Sequence, residues 1–500
     1  MAIVNDFEKA TDTRGKLTPK SFQEQFSHES NVHYRANSAD ELLSDLTELE
    51  AFIQHFYEHQ VPRLEVLDRY TKARNTTIYT EDRRRQELNK SDHRACHNFA
   101  KIINVFDVGY NTGVPIKKES DDNKIHDIIA DFDDLNDIEN LDAELWRDVS
   151  KFGRAYDLQF RNQTDQDRIV ISSVFETFVI YSLDVERTPI MALRLQKYTE
   201  KQQEKVKITA YTDSEVITFR PSNSTVVKLV EESREAHSFG EVPITEYSSD
   251  RYRQGAYEDI ISLIDLYDSA QSDTANYMTD FNDSLLVISG NLGADSADIE
   301  ELEKMRNANM LLLEDTPSSD GKMSHATAEY IYKQYDVNGA EAYKKRLRDD
   351  IHAISFVPDL TDQSFSGTQS GEAMKYKLFG FQQSVKTRQS TFKKGLMRRY
   401  RLLLNIKKSV QEADNCDLAL KITFTANLPK AVLEELKTLN SAGAEFSQET
   451  ILSLASFVED AKDEIEKFKK EREGELHSFN PFSPLADEHD HATDEPEESN

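Results

Sequence analysis

The stretch from Pro358 to Lys408 constrains the fold more than any other part of the chain. It opens with a polar run, Thr361-Asp362-Gln363-Ser364-Phe365-Ser366-Gly367-Thr368-Gln369-Ser370-Gly371, which has no apolar period and reads as a loop. A long helical pattern follows, with Met374, Leu378, Phe381, Val385, Phe392, Leu396 and Tyr400 spaced three, four or seven apart. From Glu372 to Lys408 there are eleven Lys or Arg and one acid, a net charge of +10, while the 500-residue chain carries −30. One cationic helix inside an acidic protein is an asymmetry that the fold has to accommodate.

Hydrophobic residues make up only 38% of the chain and charged ones 30%, so much of its surface must stay wet or face a partner. The negative balance argues against binding free nucleic acid through an overall basic field, although an acidic lumen could let DNA move without sticking. Two cysteines, Cys96 and Cys416, give no disulfide framework and suggest a reducing cytoplasm. The start, Met1-Ala2-Ile3-Val4-Asn5-Asp6-Phe7-Glu8, lacks a basic region followed by an apolar run, so no signal peptide is read. No apolar run approaches the roughly 18–20 residues that span a bilayer. A soluble cytoplasmic chain, with no membrane partner, is expected.

Residues before Ser38 lack sustained periodicity and read as an arm. Ser38-Ala39-Asp40-Glu41 has the form of a capping box, predicting a helix with Leu42, Leu43, Leu46, Leu49, Ile53 and Phe56 on its buried side. Pro62 suits the first turn of a second helix. Ser91 to Val114 reads as another. His93, Cys96 and His97 could share a face there, but no fourth metal ligand is evident and helix packing is the better reading. Asp131-Phe132-Asp133-Asp134-Leu135-Asn136-Asp137 lacks the glycine and ligand spacing of a calcium loop. Amphipathic helices carrying Ile128, Ile129, Leu135, Ile138, Leu141, Leu145 and Trp146 are expected instead.

From Phe152 to Tyr247 short β-branched and aromatic runs predict an antiparallel sheet. Its strands are Val179–Tyr181, Met191–Leu195, Val206–Tyr211, Val216–Phe219 and Val226–Val230, with Thr212-Asp213-Ser214 as a hairpin turn. Gly255 to Phe281 is an acidic helix, and no Lys or Arg occurs from Gln254 through Glu303. Leu285–Gly290 and Met310–Glu314 read as strands joined by a short helix, Ser296–Arg306. A helix from Tyr335 to Phe356 ends before Pro358. Leu418–Phe424 alternates and returns a strand to the sheet region; helices follow through Lys470. The nine acids and three prolines of 473–500, with no Lys or Arg, predict a disordered tail. There is no Walker-type phosphate loop, no nucleophile elbow and no recognisable two-metal site, so no enzyme, cofactor or metal is expected.

Ser370-Gly371-Glu372-Ala373-Met374-Lys375-Tyr376-Lys377, Gly380 and Lys393-Lys394-Gly395-Leu396-Met397-Arg398-Arg399 resemble a segment of portal proteins of tailed bacteriophages, of the siphophage type from Gram-positive hosts. Asn98-Phe99-Ala100-Lys101, Gly109-Tyr110-Asn111-Thr112-Gly113-Val114-Pro115-Ile116 and His237-Ser238-Phe239-Gly240-Glu241-Val242-Pro243-Ile244 extend the resemblance, and segment order carries it from Asn98 to Lys470. It implies an α+β, mostly helical subunit: arm 1–37, wing 38–254, first stem helix 255–280, clip 281–335 and second stem helix 336–357. A tunnel loop 358–371, a long kinked helix with a returning strand 372–427, a crown 428–472 and the tail 473–500 complete it.

The resemblance further implies a homo-oligomeric ring, usually a dodecamer, at one capsid vertex of the virion, assembled in the host cytoplasm. Such a ring passes double-stranded DNA without sequence specificity and meets the terminase motor, head-completion or adaptor proteins, scaffolding protein and major capsid protein. Asp362, Gln363, Ser364, Phe365, Ser366, Gly367, Thr368 and Gln369 would then form the channel loop. Lys375, Lys377, Lys386, Arg388, Lys393 and Lys394 would face neighbouring subunits' acids or, for a minority, the channel. Asp265 and Asp268 on the first stem helix, with Lys344, Lys345, Arg346 and Arg348 on the second, would pair between subunits. The plainer alternatives are charged faces that are merely solvated. The rival functions are a non-ring acidic scaffold or adaptor, and a nucleic-acid enzyme with an unrecognised site.

Overall fold

The computed structural model describes residues 29–76, 78–79, 84–85, 90–200, 202–221, 228–280, 285–289, 291–292, 313–314, 316–317, 323–325, 327–331, 336–359, 378–409, 420–427, 465 and 467–469. The channel loop at 362–369, the short helix at 296–306, the tail and the expected arm 1–37 up to residue 28 fall outside them; within that arm Tyr34–Ala36 is a strand paired with Ile180–Ser182. The chain divides into two compact units, 1–367 with 375–428, and 368–374 with 429–500. Within the second, residues 465 and 467–469 are helical; the rest of the expected crown lies outside the described residues.

The first unit mixes helices with antiparallel sheets, as its α+β patterning requires. Its strands before the helix at 261 are β1 (Tyr34–Ala36), β2 (Lys117–Glu119), β3 (Arg154–Arg161), β4 (Asp167–Ser172), β5 (Thr177–Ser182), β6 (Pro189–Glu200), β7 (Gln203–Tyr211), β8 (Glu215–Pro221), β9 (Leu229–Ala236) and β10 (Ile244–Ser248). Six make one sheet in the order β1-β5-β6-β7-β8-β9, and three make another in the order β10-β3-β4. Within the larger sheet, β1 runs parallel to β5 and the other neighbours are antiparallel. Thr212 closes the expected hairpin, its Oγ1 accepting from Glu215 N at 2.9 Å. The expected strand at 226–230 lies a few residues later, as β9.

Ser38 caps its helix as expected, accepting from Glu41 N at 3.2 Å. The single helix predicted there is two, Ala39–Ser44 and Leu46–His55, because Asp45 takes extended dihedrals and caps the second. Leu42, Leu49, Ile53 and Phe56 close over Phe178, Ile180, Leu193, Ile208, Ile217 and Phe219 of the large sheet in one apolar core. Strands β3 and β10 carry no obvious alternation, being buried on both faces over much of their length, and are not legible from periodicity; β4 alternates but is short and is not among the expected strands either. The strand Lys421–Thr423 pairs with β2 in a two-stranded ladder, rather than joining the main sheet.

Residues 91–98 form no helix and run as a strap, and the helix begins at Phe99, with Asn98 as its cap. The helix Ile261–Asp280, the expected first stem helix, supplies the reason. His93 N donates to Asn276 Oδ1 at 2.7 Å, Ala95 N to Ser272 Oγ at 3.0 Å and His97 N to Asp268 Oδ1 at 2.9 Å. Two extended residues rise about 6.6 Å and four helical residues about 6 Å, so alternate amides of a strap match every fourth side chain of a helix. The helix Val337–Ser355 packs beside this one and ends at Phe356, which is left-handed at φ 57° just before Pro358. Between the two stem helices, Leu285–Ser289 pairs antiparallel with Thr327–Ile331 as the outermost ladder of the expected clip.

Asp268 also takes the His97 ring Nδ1 at 2.8 Å and Asn75 Nδ2 at 2.6 Å, and is fully buried. Asp268→Ala leaves three donors unmatched and should destabilise the subunit by about 2–4 kcal/mol; Ser272→Ala should cost about 1 kcal/mol. Urea denaturation of both variants checks this, and equal, negligible losses would show the strap bonds to be incidental.

Candidate functional site

The long helix runs unbroken over Phe379–Ser409, about 46 Å at the usual rise per residue. One face is apolar, and Phe381, Val385, Phe392, Leu396 and Tyr400 are buried along it as predicted. Gly395 sits on that face. A Cβ there would run into the Tyr247 ring, so only glycine lets the helix lie this close to β10. Glycine in a helix interior costs about 1 kcal/mol relative to alanine, which the close packing must exceed.

Cations stand in the same buried stripe. Arg399 is fully buried; its Nε donates to Asp157 Oδ2 at 2.9 Å and its Nη1 to Asp142 Oδ1 at 2.6 Å. Tyr247 OH donates to the same Asp157 oxygen at 2.6 Å, and Lys118 lies 2.9 Å from Asp142. Burial alone would pull the Arg399 pKa down; Tyr247, Asp142 and Asp157 outweigh it and hold the guanidinium well above its ordinary value. One residue on, Tyr400 OH donates to Asp133 at 2.8 Å, a carboxylate pushed up by burial. Arg398 donates to the carbonyls of Val242 at 2.7 Å and Ile244 at 2.8 Å. Lys407 reaches Asp167 at 2.9 Å.

Arg388 corrects an expectation. It bonds Asp107, which is fully buried and also accepts from Asn111 Nδ2 at 2.9 Å and Trp146 Nε1 at 3.3 Å. Its partner within the subunit is therefore Asp107, and moving it would leave a buried carboxylate uncompensated. Sequence reasoning had the signal for these arginines. The apolar period skips from Val385 to Phe392, and Arg388 fills the gap, while Arg399 lies three residues after Leu396. Their partners were legible the same way, since Asp107 and Asp142 interrupt otherwise apolar helical stripes.

The remaining helix cations turn outward. Lys386 and Lys394 are exposed and Lys393 half-buried, beside the exposed Gln383 and Ser390, and no ion pair holds them among the described residues. Lys375 and Lys377 lie outside the described residues. Arg401 is exposed and pairs with Glu241 at 2.8 Å.

The expected stem pairs are only partly available to neighbours. Besides Asp268, Asp265 accepts from Tyr70 OH at 2.7 Å, and buried Lys344 reaches Gln271 Oε1 at 3.0 Å, all inside the subunit. Lys345 and Arg346 are exposed, Arg346 paired along its helix with Asp350 at 3.0 Å; Arg348 lies 3.4 Å from Asp359. The stripes thus sort by depth: among the described residues Asp265, Asp268, Lys344, Arg388 and Arg399, each aligned with an apolar run, all have partners within the subunit. Between the stem bases and the long helix is a cavity of about 310 Å³, lined by Asp250, Asp259, Ile354, Phe356, Phe381 and Arg388 among others.

Among the described residues no three His, Cys, Asp or Glu side chains gather as a metal site, and no described helix is long and apolar enough to cross a membrane. A mixed helical and sheet wing, a pair of packed helices with a β excursion between them and a long internal helix define a portal-type subunit. The family model described as phage portal protein, SPP1 Gp6-like, matches residues 50–477, and the chain belongs to that family. It is 23% identical over 402 residues to the portal protein of Bacillus phage SPP1, covering 76% of each chain. Two solved structures are similar at 11% and 14% identity: the neck of an empty gene transfer agent particle, with a TM-score of 0.41, and the virion of a native gene transfer agent particle, at 0.40. The first covers 72% of this chain and 90% of its own, the second 71% and 89%.

Arg399→Met removes one member of a buried pair and should destabilise the subunit by about 3–5 kcal/mol. Arg401→Met, at an exposed pair, should cost less than about 1 kcal/mol. Chemical denaturation of the two variants separates them; similar losses would contradict the assignment of Arg399 as the anchor of the helix.

Proposed function

We propose that this portal subunit assembles into a ring, a dodecamer, that admits double-stranded DNA during packaging and releases it at ejection. The ring would dock the terminase motor, meet scaffolding and major capsid proteins during assembly in the host cytoplasm, and later hold head-completion proteins. The observation that carries this reading is the family match across residues 50–477, which spans most of the chain. Membership in a structural family favours it over a free-standing scaffold, and over an enzyme.

The physics of the chain agrees. A wall densely lined with Lys and Arg would grip DNA through phosphate contacts, whereas an acidic one with few free cations lets the duplex slide. The long helix satisfies that condition by directing Arg388, Arg398, Arg399 and Lys407 into its own wing. The segment 362–369 would form the channel constriction: its Asp, Gln, Ser, Gly and Thr content suits contact with DNA of any sequence, and Phe365 would wedge against the duplex or an adjacent copy. Lys345, Arg346 and Arg348 remain as stem groups for subunit contacts, and 281–335 as the face for the motor.

Electron microscopy of the purified protein should show rings with a central hole. Shortening 362–369, or replacing Asp362 and Phe365 with Ala, should leave rings and procapsids intact while lowering nuclease-protected DNA per procapsid. Undiminished packaging would remove this segment from the constriction, and an absence of rings in the wild type would overturn the reading itself.

A further inference from the structure

Two oppositely charged rows remain once the internal ion pairs are set aside. On the long helix, Lys386 and Lys394 are exposed beside Gln383 and Ser390, off the Phe381–Val385–Phe392–Leu396 stripe, and half-buried Lys393 lies at the flank of that stripe. No acid occurs on this helix from Phe379 to Ser409 to offset them. On the helix Asn123–Asn136, Asp127, Asp131 and Asp134 fall at intervals of four and three, and all three are exposed. Ile125, Ile129 and Phe132 occupy the opposite, buried side. Lys124 is the only Lys or Arg of that helix.

Like charges three and four apart repel by a few tenths of a kcal/mol per pair, so the aspartate row does not stabilise the helix that carries it, and the lysines have no acid on their own helix to offset them. Each row lies off the buried stripe of its own helix, and so they are placed to meet between copies rather than within one. Their dimensions also match: the acidic row spans about 10.5 Å and the lysine row about 12 Å of helix. With three groups of each sign, the two rows are complementary in number, length and charge.

We infer that the Lys386–Lys393–Lys394 row of one subunit docks on the Asp127–Asp131–Asp134 row of a second copy of this chain. The contact is heterologous: every copy offers its lysine row to one neighbour and its aspartate row to the other, which is the condition for ring closure. Being exposed and ionic, it orients the copies and sets their salt response more than it sets affinity. The inference rests on the portal reading, since only a ring or a filament gives each copy two different neighbours.

Charge reversal in the full chain tests it by ring mass in light scattering and electron microscopy. K386E/K393E/K394E and D127K/D131K/D134K should each keep the wild-type thermal transition within about 2 °C and lose most rings at low salt. Combining all six reversals should restore rings, because the rows then complement each other again. Single-row variants that form rings as well as the wild type does would overturn the inference while leaving the portal reading intact. If the lysine variant alone assembles normally but packages less DNA, the lysines face the channel and the inference falls. A six-fold variant no better than either triple would likewise overturn it, provided that its thermal transition matches the wild type. Rings absent from the wild type would instead overturn the portal reading.

Discussion

The buried contact of Arg399 with Asp142 and Asp157 is the interaction on which the wing depends. Bringing these charges out of water costs several kcal/mol per ion, and only good geometry with further hydrogen bonds offsets that cost. The structure provides the geometry and most of the bonds: Arg399 has a carboxylate on each of two nitrogens, Tyr247 adds a bond to the same Asp157 oxygen, and Lys118 adds a second cation beside Asp142. Arg399 Nη2 and Asp157 Oδ1 are buried with no hydrogen-bond partner among the described residues. Because Asp142 lies on one helix, Asp157 on a strand and Arg399 on the long helix, a single arginine fixes three elements of the subunit. Gly395 permits the approach, since a side chain there would push the helix off Tyr247.

The same device recurs at Arg388 with Asp107, and on the other side of the wing at Arg253 with Glu246, bound through two nitrogens at 2.7 Å each. Arg63 and Glu258 join the N-terminal helices to the start of the first stem helix in the same way. An acidic chain can thus carry a strongly basic helix while presenting only part of its positive charge at the surface. For a portal subunit that matters, because the element with the most positive charge is also one whose full exposure would make DNA adhere.

Much of this was legible in the sequence, and the parts that were not have physical reasons. The stripe from Phe381 to Tyr400 was read correctly because amphipathic periodicity survives in any helix with one buried side. The Ser38 cap and the Thr212 hairpin followed from local hydrogen-bond chemistry, which tertiary packing did not override. The strap at 91–98 was misread as helix because its amides are satisfied by Asp268, Ser272 and Asn276, some 170 to 180 residues later, and no local pattern records such partners. Strands β3 and β10 were missed because burial on both faces erases alternation. Among the candidate site residues, Arg388, Asp268 and Lys344 were counted as surface charges although each lies in register with buried neighbours. Reading charge together with the apolar period would have sorted them.

Hydrogen exchange on the unassembled subunit addresses most directly whether the long helix is locked into its wing by its own chain. Amides from Val385 to Ile406 should be as strongly protected in the free subunit as in the assembled ring, with slow exchange already present before any neighbour is bound. Rapid exchange of that stretch in the free subunit, with protection arising only on assembly, would contradict it and return the basic helix to the subunit interface.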